Sequence, residues 1–170
     1  MFQEFTSAKT SVNTVSAVYK RKKIPKGSIV LDYGGGKYDA NIEYMKEKGV
    51  EVKVYDPYNK DEDYNEKTLN YFRANPAKYI VCANVLCVIK EDECILNILE
   101  NIKKYAAPDA TIYIQVYERN RDGLGLATKD DCWQRNQKTK EYLPFVNKVF
   151  TNADISLKGK IIEVKLKEEI

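Results

Sequence analysis

Three consecutive glycines, Gly34, Gly35 and Gly36, follow the extended run Ile29-Val30-Leu31-Asp32-Tyr33, and a carboxylate, Asp56, closes the next apolar run, Val50 to Tyr55. Glycines at the carboxyl end of a strand let the backbone turn sharply and approach a ligand closely, because no Cβ stands in the way. The bland alternative is a tight turn with no ligand. A carboxylate ending the neighbouring strand is placed to accept hydrogen bonds from the two hydroxyls of a ribose. In nucleotide-binding units that acid lies about 20 residues past the glycines, and the interval from Gly34 to Asp56 fits. Between them, Ala40 to Lys48 reads as a helix stopped at Gly49. Strand, glycine turn, helix, strand and acid form the opening half of a nucleotide-binding α/β unit.

The same residues narrow the choice of nucleotide. A dinucleotide unit carries G-x-G-x-x-G, with its third glycine at a helix N-terminus that receives pyrophosphate. Gly34 and Gly36 satisfy the first two positions, but Asp39 stands at the third. A carboxylate in the first helical turn repels a diphosphate and is expected to satisfy the free N–H groups itself. The G-x-x-x-x-G-K-[ST] pattern of triphosphate-binding loops is missing as well. A ligand with a ribose and a zwitterionic tail but no phosphate suits the loop, and S-adenosylmethionine is such a ligand. Asp32 lies inside an apolar strand, where an unpaired carboxylate is costly, so by itself it reads as a structural hydrogen-bond acceptor.

At this point the chain resembles the class I S-adenosylmethionine-dependent methyltransferases. The resemblance rests on Val30-Leu31-Asp32-Tyr33-Gly34-Gly35-Gly36 as the first motif and Val54-Tyr55-Asp56-Pro57-Tyr58 as the acidic second motif. It extends to Tyr79 through Leu86 as the fourth motif, and Ile112 through Glu118 sits where a fifth strand should. More narrowly, LDYGGGKYD, YDPY, NVLCVIKED and WQRNQKTKEYLP are similar to a small group from phages and mobile elements, related in part to putative methyltransferases associated with DNA modification. The resemblance implies an α/β, Rossmann-like three-layer sandwich with S-adenosylmethionine as cofactor. It implies that Asp32, Gly34, Gly35, Gly36, Asp56, Pro57, Tyr58, Asn84 and Val85 hold the cofactor, Asp32 meeting the amino group through water. Fuller members have one more strand between the second and fourth motifs, whose end often supplies an acid to the adenine amino group. Here about two dozen residues separate Asp56 from Tyr79, too few for a helix and a strand together. No acid takes the adenine role; Pro57, Tyr58 and Val85 are left to sandwich the base.

The surrounding elements agree. Residues 8–23 read as a helix with Val12, Val15, Val18 and Tyr19 on one face, and Pro25-Lys26-Gly27 ends it. Glu66 to Ala74 is a helical candidate stopped before Pro76. Residues 91–107 form the clearest amphipathic helix, with Cys94, Ile95, Ile98, Leu99, Ile102 and Tyr105 inward. Residues 138–148 look helical with a kink or restart at Pro144. Residues 154–157 and 161–166 flank Lys158-Gly159 as a terminal hairpin. Alternating strands and helices give a mainly parallel sheet, with antiparallel strands from the C-terminal hairpin.

At 170 residues and 44% hydrophobic content the chain is expected to form one domain, 1–170. A net charge of +3 is too small to imply nucleic acid, and Lys20-Arg21-Lys22-Lys23 reads first as a solvated helix end. Cys82, Cys87, Cys94 and Cys132 lack paired metal spacing and there is no histidine, so no metal site is expected. Buried reduced thiols, and the lack of a signal peptide or membrane-length apolar run, point to the cytoplasm, with no membrane partner.

Methyl transfer is an in-line displacement at an activated sulfonium carbon, so positioning supplies much of the acceleration. Asn84, at the sheet's carboxyl edge, is expected to touch the cofactor or the acceptor, its alternative being a turn former. Glu118 is a candidate proton acceptor beside Tyr117. Arg119 to Lys129 reads as a mobile lid. Trp133, Gln134, Arg135, Asn136 and Lys138 form a polar and aromatic cluster for the acceptor, or else a helix-packing tryptophan with solvated neighbours. The acceptor itself is not identified: a small molecule, nucleotide, protein side chain or nucleic acid all fit. No Asn/Asp-Pro-Pro-Tyr/Phe motif follows Tyr79 to Ala83, and no Pro-Cys pair is present, which disfavours the common DNA methylations. A catalytically silent S-adenosylmethionine-binding module and, less favoured by Asp39, a nicotinamide-dependent oxidoreductase are the other readings.

Overall fold

Short β-branched runs alternating with amphipathic segments leave each strand needing cover on both faces, and the computed structural model, which describes residues 3–6 and 8–168, shows how it is supplied. A single turn of 3₁₀ helix at Ala8–Thr10 and the short helix α1 (Ala17–Arg21) precede β1 (Ile29–Tyr33). Then follow α2 (Ala40–Lys46), β2 (Glu51–Tyr55), α3 (Glu62–Ala74), β3 (Ala77–Ala83), α4 (Asp92–Tyr105) and β4 (Ala106–Gln115). The chain continues through β5 (Leu126–Lys129), β6 (Cys132–Gln134), α5 (Leu143–Val149), β7 (Ala153–Lys158) and β8 (Ile161–Leu166).

The main sheet has the order β2-β1-β3-β4-β8-β7. The first four strands are parallel, and the terminal hairpin adds two antiparallel ones. Alternation along β1 divides the core. Leu31 and Tyr33 join the cluster under α3, α4 and α5, while Val30 joins Val18, Tyr19 and Met45 on the face of α1 and α2. This is the mainly parallel three-layer sandwich expected. From β1 the chain moves to β2 on one side and returns to β3 on the other, so the strand order reverses beside β1. A crevice opens there, at the carboxyl ends of the strands. Register aligns those ends: Tyr33 lies opposite Tyr55, and Asp32 opposite Val81.

Several elements differ from expectation for identifiable reasons. Residues 8–23 are not one helix; they form a 3₁₀ turn at Ala8–Thr10 and the short α1, with Val12 exposed between them. Nine of the eleven residues from Thr6 to Ser16 are Ser, Thr, Asn or β-branched valine, and such side chains compete with helical hydrogen bonds or lose rotamer freedom in a helix. α3 starts four residues early because the Asp61 carboxylate caps it, accepting from the Tyr64 N–H at 2.8 Å. α4 buries five of the six expected residues and leaves Ile98 half-exposed. β4 ends at Gln115, short of Tyr117 and Glu118. Pro144 falls in the first turn of α5, where a missing N–H is harmless. The lid segment 119–129 is partly ordered: its end is β5, paired with β6. Among the described residues no helix is long and apolar enough to cross a membrane.

Candidate active site

The crevice at the strand-order reversal is a cavity of about 320 Å³. Its floor is the glycine turn. Gly34 has φ +84°, donates its N–H to the Tyr55 carbonyl at 2.6 Å, and leaves so little room that a Cβ would overlap Val85 Cγ2. A Cβ on Gly35 would lie 2.9 Å from both Asp32 Cγ and Val54 Cγ1. Both positions therefore require glycine, one for backbone conformation as well as space.

Asp56 is buried and holds the loop together. Its Oδ2 accepts from the Gly36 N–H at 2.8 Å and the Asn59 side chain at 3.1 Å, and its Oδ1 from the Tyr58 and Asn59 N–H groups at 3.0 Å each. A carboxylate offers about four lone-pair sites, so ribose hydroxyls arriving here must displace a donor. The Asn59 amide is the one of the four that belongs to a side chain and can swing away. Asp39 caps α2 with its backbone only; its carboxylate, expected to take up the helix N–H groups, faces Lys60 Nζ at 3.8 Å instead.

Asp32, 1% exposed, accepts from the Tyr19 hydroxyl at 2.9 Å through Oδ2, while its buried Oδ1 has no partner among the described residues. Burial pushes the carboxyl up to about 7 and the Asp56 charge adds to the rise, while the hydrogen bond from Tyr19 opposes it. An ammonium group beside Oδ1 would supply the missing partner.

Asn84 follows β3 with φ 60°, a left-handed conformation that asparagine tolerates. Its N–H donates to the Gln115 carbonyl at 2.8 Å, and Gln115 Nε2 reaches its Oδ1 at 3.4 Å. Gln115 Oε1 in turn accepts from the Val18 N–H at 3.0 Å. The N–H donors of the Asn84 amide remain for a ligand. Val85, Pro57 and a half-exposed Tyr58 complete this part of the lining.

The roof was invisible in the sequence pattern. Gln3, Thr6, Thr10, Ser11, Thr14 and Ser16 line the cavity from an irregular N-terminal segment. At one end Thr6 N–H donates to the Asp131 carbonyl at 3.1 Å and the Phe5 ring packs 5.4 Å from Trp133. At the other end the Ser16 N–H donates to Asn41 Oδ1 at 2.8 Å. The signal for a roof was the run of hydroxyl residues itself, too polar for a buried helix.

Of the residues expected on the acceptor side, Asn84 lines this cavity, whereas Tyr117, Glu118, Trp133, Gln134, Arg135, Asn136 and Lys138 are not brought to it. Tyr117 is exposed outside it. Glu118 accepts from the Thr139 N–H at 2.6 Å and its hydroxyl at 2.9 Å, and pairs with Arg121 at 2.9 Å. The Thr139 N–H bond leads in holding its carboxyl below the usual range, the opposite of a poised base. Trp133 packs against Phe5, and Lys90 Nζ lies 5.0 Å from its ring. Arg135 is tied to the Ile89 and Lys90 carbonyls and to Asp92, fastening β6 to the start of α4. Asn136 is buried at φ 58° and donates to the Leu124 carbonyl. These groups build the support for the roof rather than the cavity wall. Glu118→Ala is expected to lower stability by about 1–3 kcal/mol, the usual cost of stranding a buried donor, and to leave ligand affinity unchanged; paired melting and titration curves check both.

The residues present fit S-adenosylmethionine. The orphaned Asp32 Oδ1 matches its ammonium, Asp56 its ribose, and the side-chain-free turn its close passage. A family model described as a methyltransferase domain matches residues 5–150. No curated protein matches the sequence. Among solved structures, a SAM-dependent methyltransferase from Methanosarcina mazei has a TM-score of 0.62 at 12% identity, over 86% of this chain and 95% of that one. The 1,6-didemethyltoxoflavin N1-methyltransferase of Burkholderia thailandensis, solved with S-adenosylhomocysteine, has 0.58 at 15%, over 84% and 72%. A glycopeptide N-methyltransferase has 0.53 at 9%, over 95% and 96%. At such identities the likeness is one of fold. With a family match spanning most of its length, this chain belongs to the methyltransferase domain family and is an S-adenosylmethionine-dependent methyltransferase.

Proposed function

We propose that the cavity holds the cofactor with its ribose on Asp56 and its amino group on Asp32, and that the acceptor enters beneath the N-terminal roof. The observation that carries this reading is the buried, unpartnered Asp32 Oδ1 at the foot of a turn that admits no Cβ. S-adenosylmethionine supplies a methyl group already activated by its sulfonium. The chain's own contribution is position: Gly34 to Gly36 let the backbone lie against the ligand, and Val85 and Pro57 flank the base.

Apart from Asp32 and Asp56, the described residues that line the cavity offer hydroxyls and amides, Thr10, Ser11, Thr14, Ser16 and Asn84 among them, and no charged group. Such a wall favours an uncharged small acceptor whose nucleophile carries no proton at neutral pH, since no base faces it. Asn84 is a positioning amide, donating to the acceptor while Gln115 fixes its orientation. The buried, free cysteines agree with a cytoplasmic setting. A silent cofactor-binding module is the other outcome of the test below.

Calorimetric titration with S-adenosylhomocysteine, followed by labelled methyl transfer into a metabolite extract, tests the reading. Saturable binding at one site with label in a small product is expected, and lack of binding would remove the proposal. Binding without any labelled product would instead favour the silent module. Asn84→Gly keeps the left-handed turn but removes the amide, so it is expected to leave affinity nearly intact and slow transfer roughly tenfold to a hundredfold, as loss of one positioning contact does.

A further inference from the structure

The two edges of the main sheet differ. β2 packs against α2 and α3, and its Val52 and Val54 are buried. β7, at the far edge, has β8 as its one strand neighbour among the described residues. The hydrogen-bonding phase of that hairpin follows from a single bond, in which the Lys167 N–H donates to the Asn152 carbonyl at 3.2 Å. Residues along a strand alternate in the direction of their backbone groups, so Asp154, Ser156 and Lys158 turn theirs toward β8. Ala153, Ile155 and Leu157 turn theirs outward, where they meet no partner among the described residues.

An unpaired strand edge is a template for another strand, and the side chains of β7 select which one fits. Asp154, Ser156 and Lys158 are exposed on one face, while Ile155 and Leu157 are half-buried against the core on the other. Two copies of β7 laid antiparallel about a two-fold axis at Ser156 bring Ile155 opposite the second copy's Leu157. Those residues can exchange both N–H···O bonds, and symmetry repeats the exchange. Asp154 then stands opposite the second copy's Lys158, in the non-hydrogen-bonded position where side chains come closest. Lys158 has no ion pair among the described residues. Asp154 meets Lys167 at 3.0 Å, and a carboxylate can accept from a second cation. Centring the pair on Asp154 or on Lys158 instead sets like charges face to face, which is unfavourable.

We propose that β7 is a homodimer interface at which a second copy of this chain continues the sheet. The α5 layers of the two copies lie on the same side of that sheet. β3, β4 and β8 separate β7 from β1, and no residue of β7 lines the crevice, so both crevices stay open. A contact of one strand is smaller than a standard interface, so the dimer is weak and appears with concentration.

Sedimentation of the full chain at low ionic strength, from about 10 μM to about 1 mM, spans the range in which so small an interface half-dissociates. Wild type is expected to shift from monomer to dimer. Ile155→Pro removes an outward N–H at an edge position that tolerates proline, so it should stay monomeric, with a melting curve that shows it folded. Lys158→Asp and Asp154→Lys each set like charges opposite one another at both ends of the contact, and each should weaken association roughly tenfold or more. Mixed in equal amounts, these two variants offer a pair of aspartates to a pair of lysines, and association should return toward the wild-type level. A wild type that stays monomeric across the range, a dimer undisturbed in folded Ile155→Pro, or a mixture no more associated than its components would overturn the proposal.

Discussion

Asp56→Ala is expected to weaken S-adenosylhomocysteine binding by on the order of a hundredfold or more. A ribose hydroxyl donating into the position that the Asn59 amide vacates contributes about 1.5–3 kcal/mol, and each 1.4 kcal/mol is tenfold. The loss is compounded because Gly36, Tyr58 and Asn59 N–H groups converge on the same carboxylate, so the turn under the ligand also loosens. Asn59→Ala separates the two effects. It removes the one side-chain donor that the ribose must displace, so binding should be unchanged or tighter. Titration calorimetry reads both variants, and a weaker Asn59→Ala would show that the amide belongs to the bound state.

The second large effect is a dependence on pH. In the ligand-free fold the Asp32 carboxyl is pushed from 3.8 up to about 7, so the folded chain holds a proton that the unfolded chain has released. Its contribution to stability is full below about 4 and is lost as pH rises through 7. An ammonium ligand reverses the preference, because it binds best when Asp32 is ionised. Affinity for S-adenosylhomocysteine should therefore rise with pH and level off above 7, by roughly a hundredfold between pH 5 and 8 for one linked proton. Near pH 6 binding should release close to one proton, measurable as a buffer-dependent heat, and at pH 8 almost none. Asp32→Asn should bind more weakly at pH 8 and show a flat profile. A wild-type profile equally flat would place the ammonium elsewhere.

The glycine turn and acid that line the crevice were legible because their constraints are local. A glycine forced by φ and by the approach of Val85, and an acid one strand away, are written at fixed spacing along a short stretch of chain. The mainly parallel sheet with its antiparallel terminal hairpin followed from the alternation of strands and helices, and the short span between Asp56 and β3 left no room for a further strand. The acceptor half depends on contacts between distant segments. Arg119 to Lys129 looked like a loop because Asp122, Gly123 and Gly125 break any period, yet its end pairs with β6 and Gly125 makes room for Trp133. Trp133, Arg135 and Asn136 have the residue types of a recognition surface, but their partners are Phe5, the Ile89 carbonyl and the Leu124 carbonyl. Residue type alone does not distinguish a side chain that meets a ligand from one that holds the wall. Glu118 lies away from the crevice for a related reason: β4 stops three residues before it, and its carboxylate meets Thr139 instead.

The first turn of α1 is joined to the floor twice, by the Tyr19 hydroxyl on Asp32 and by the Val18 N–H on Gln115, which also touches Asn84. Whatever settles on Asp32 therefore adjusts the anchor of the segment overhead. Occupancy of the crevice floor and the position of the N-terminal segment above it are therefore expected to be coupled through Val18 and Tyr19.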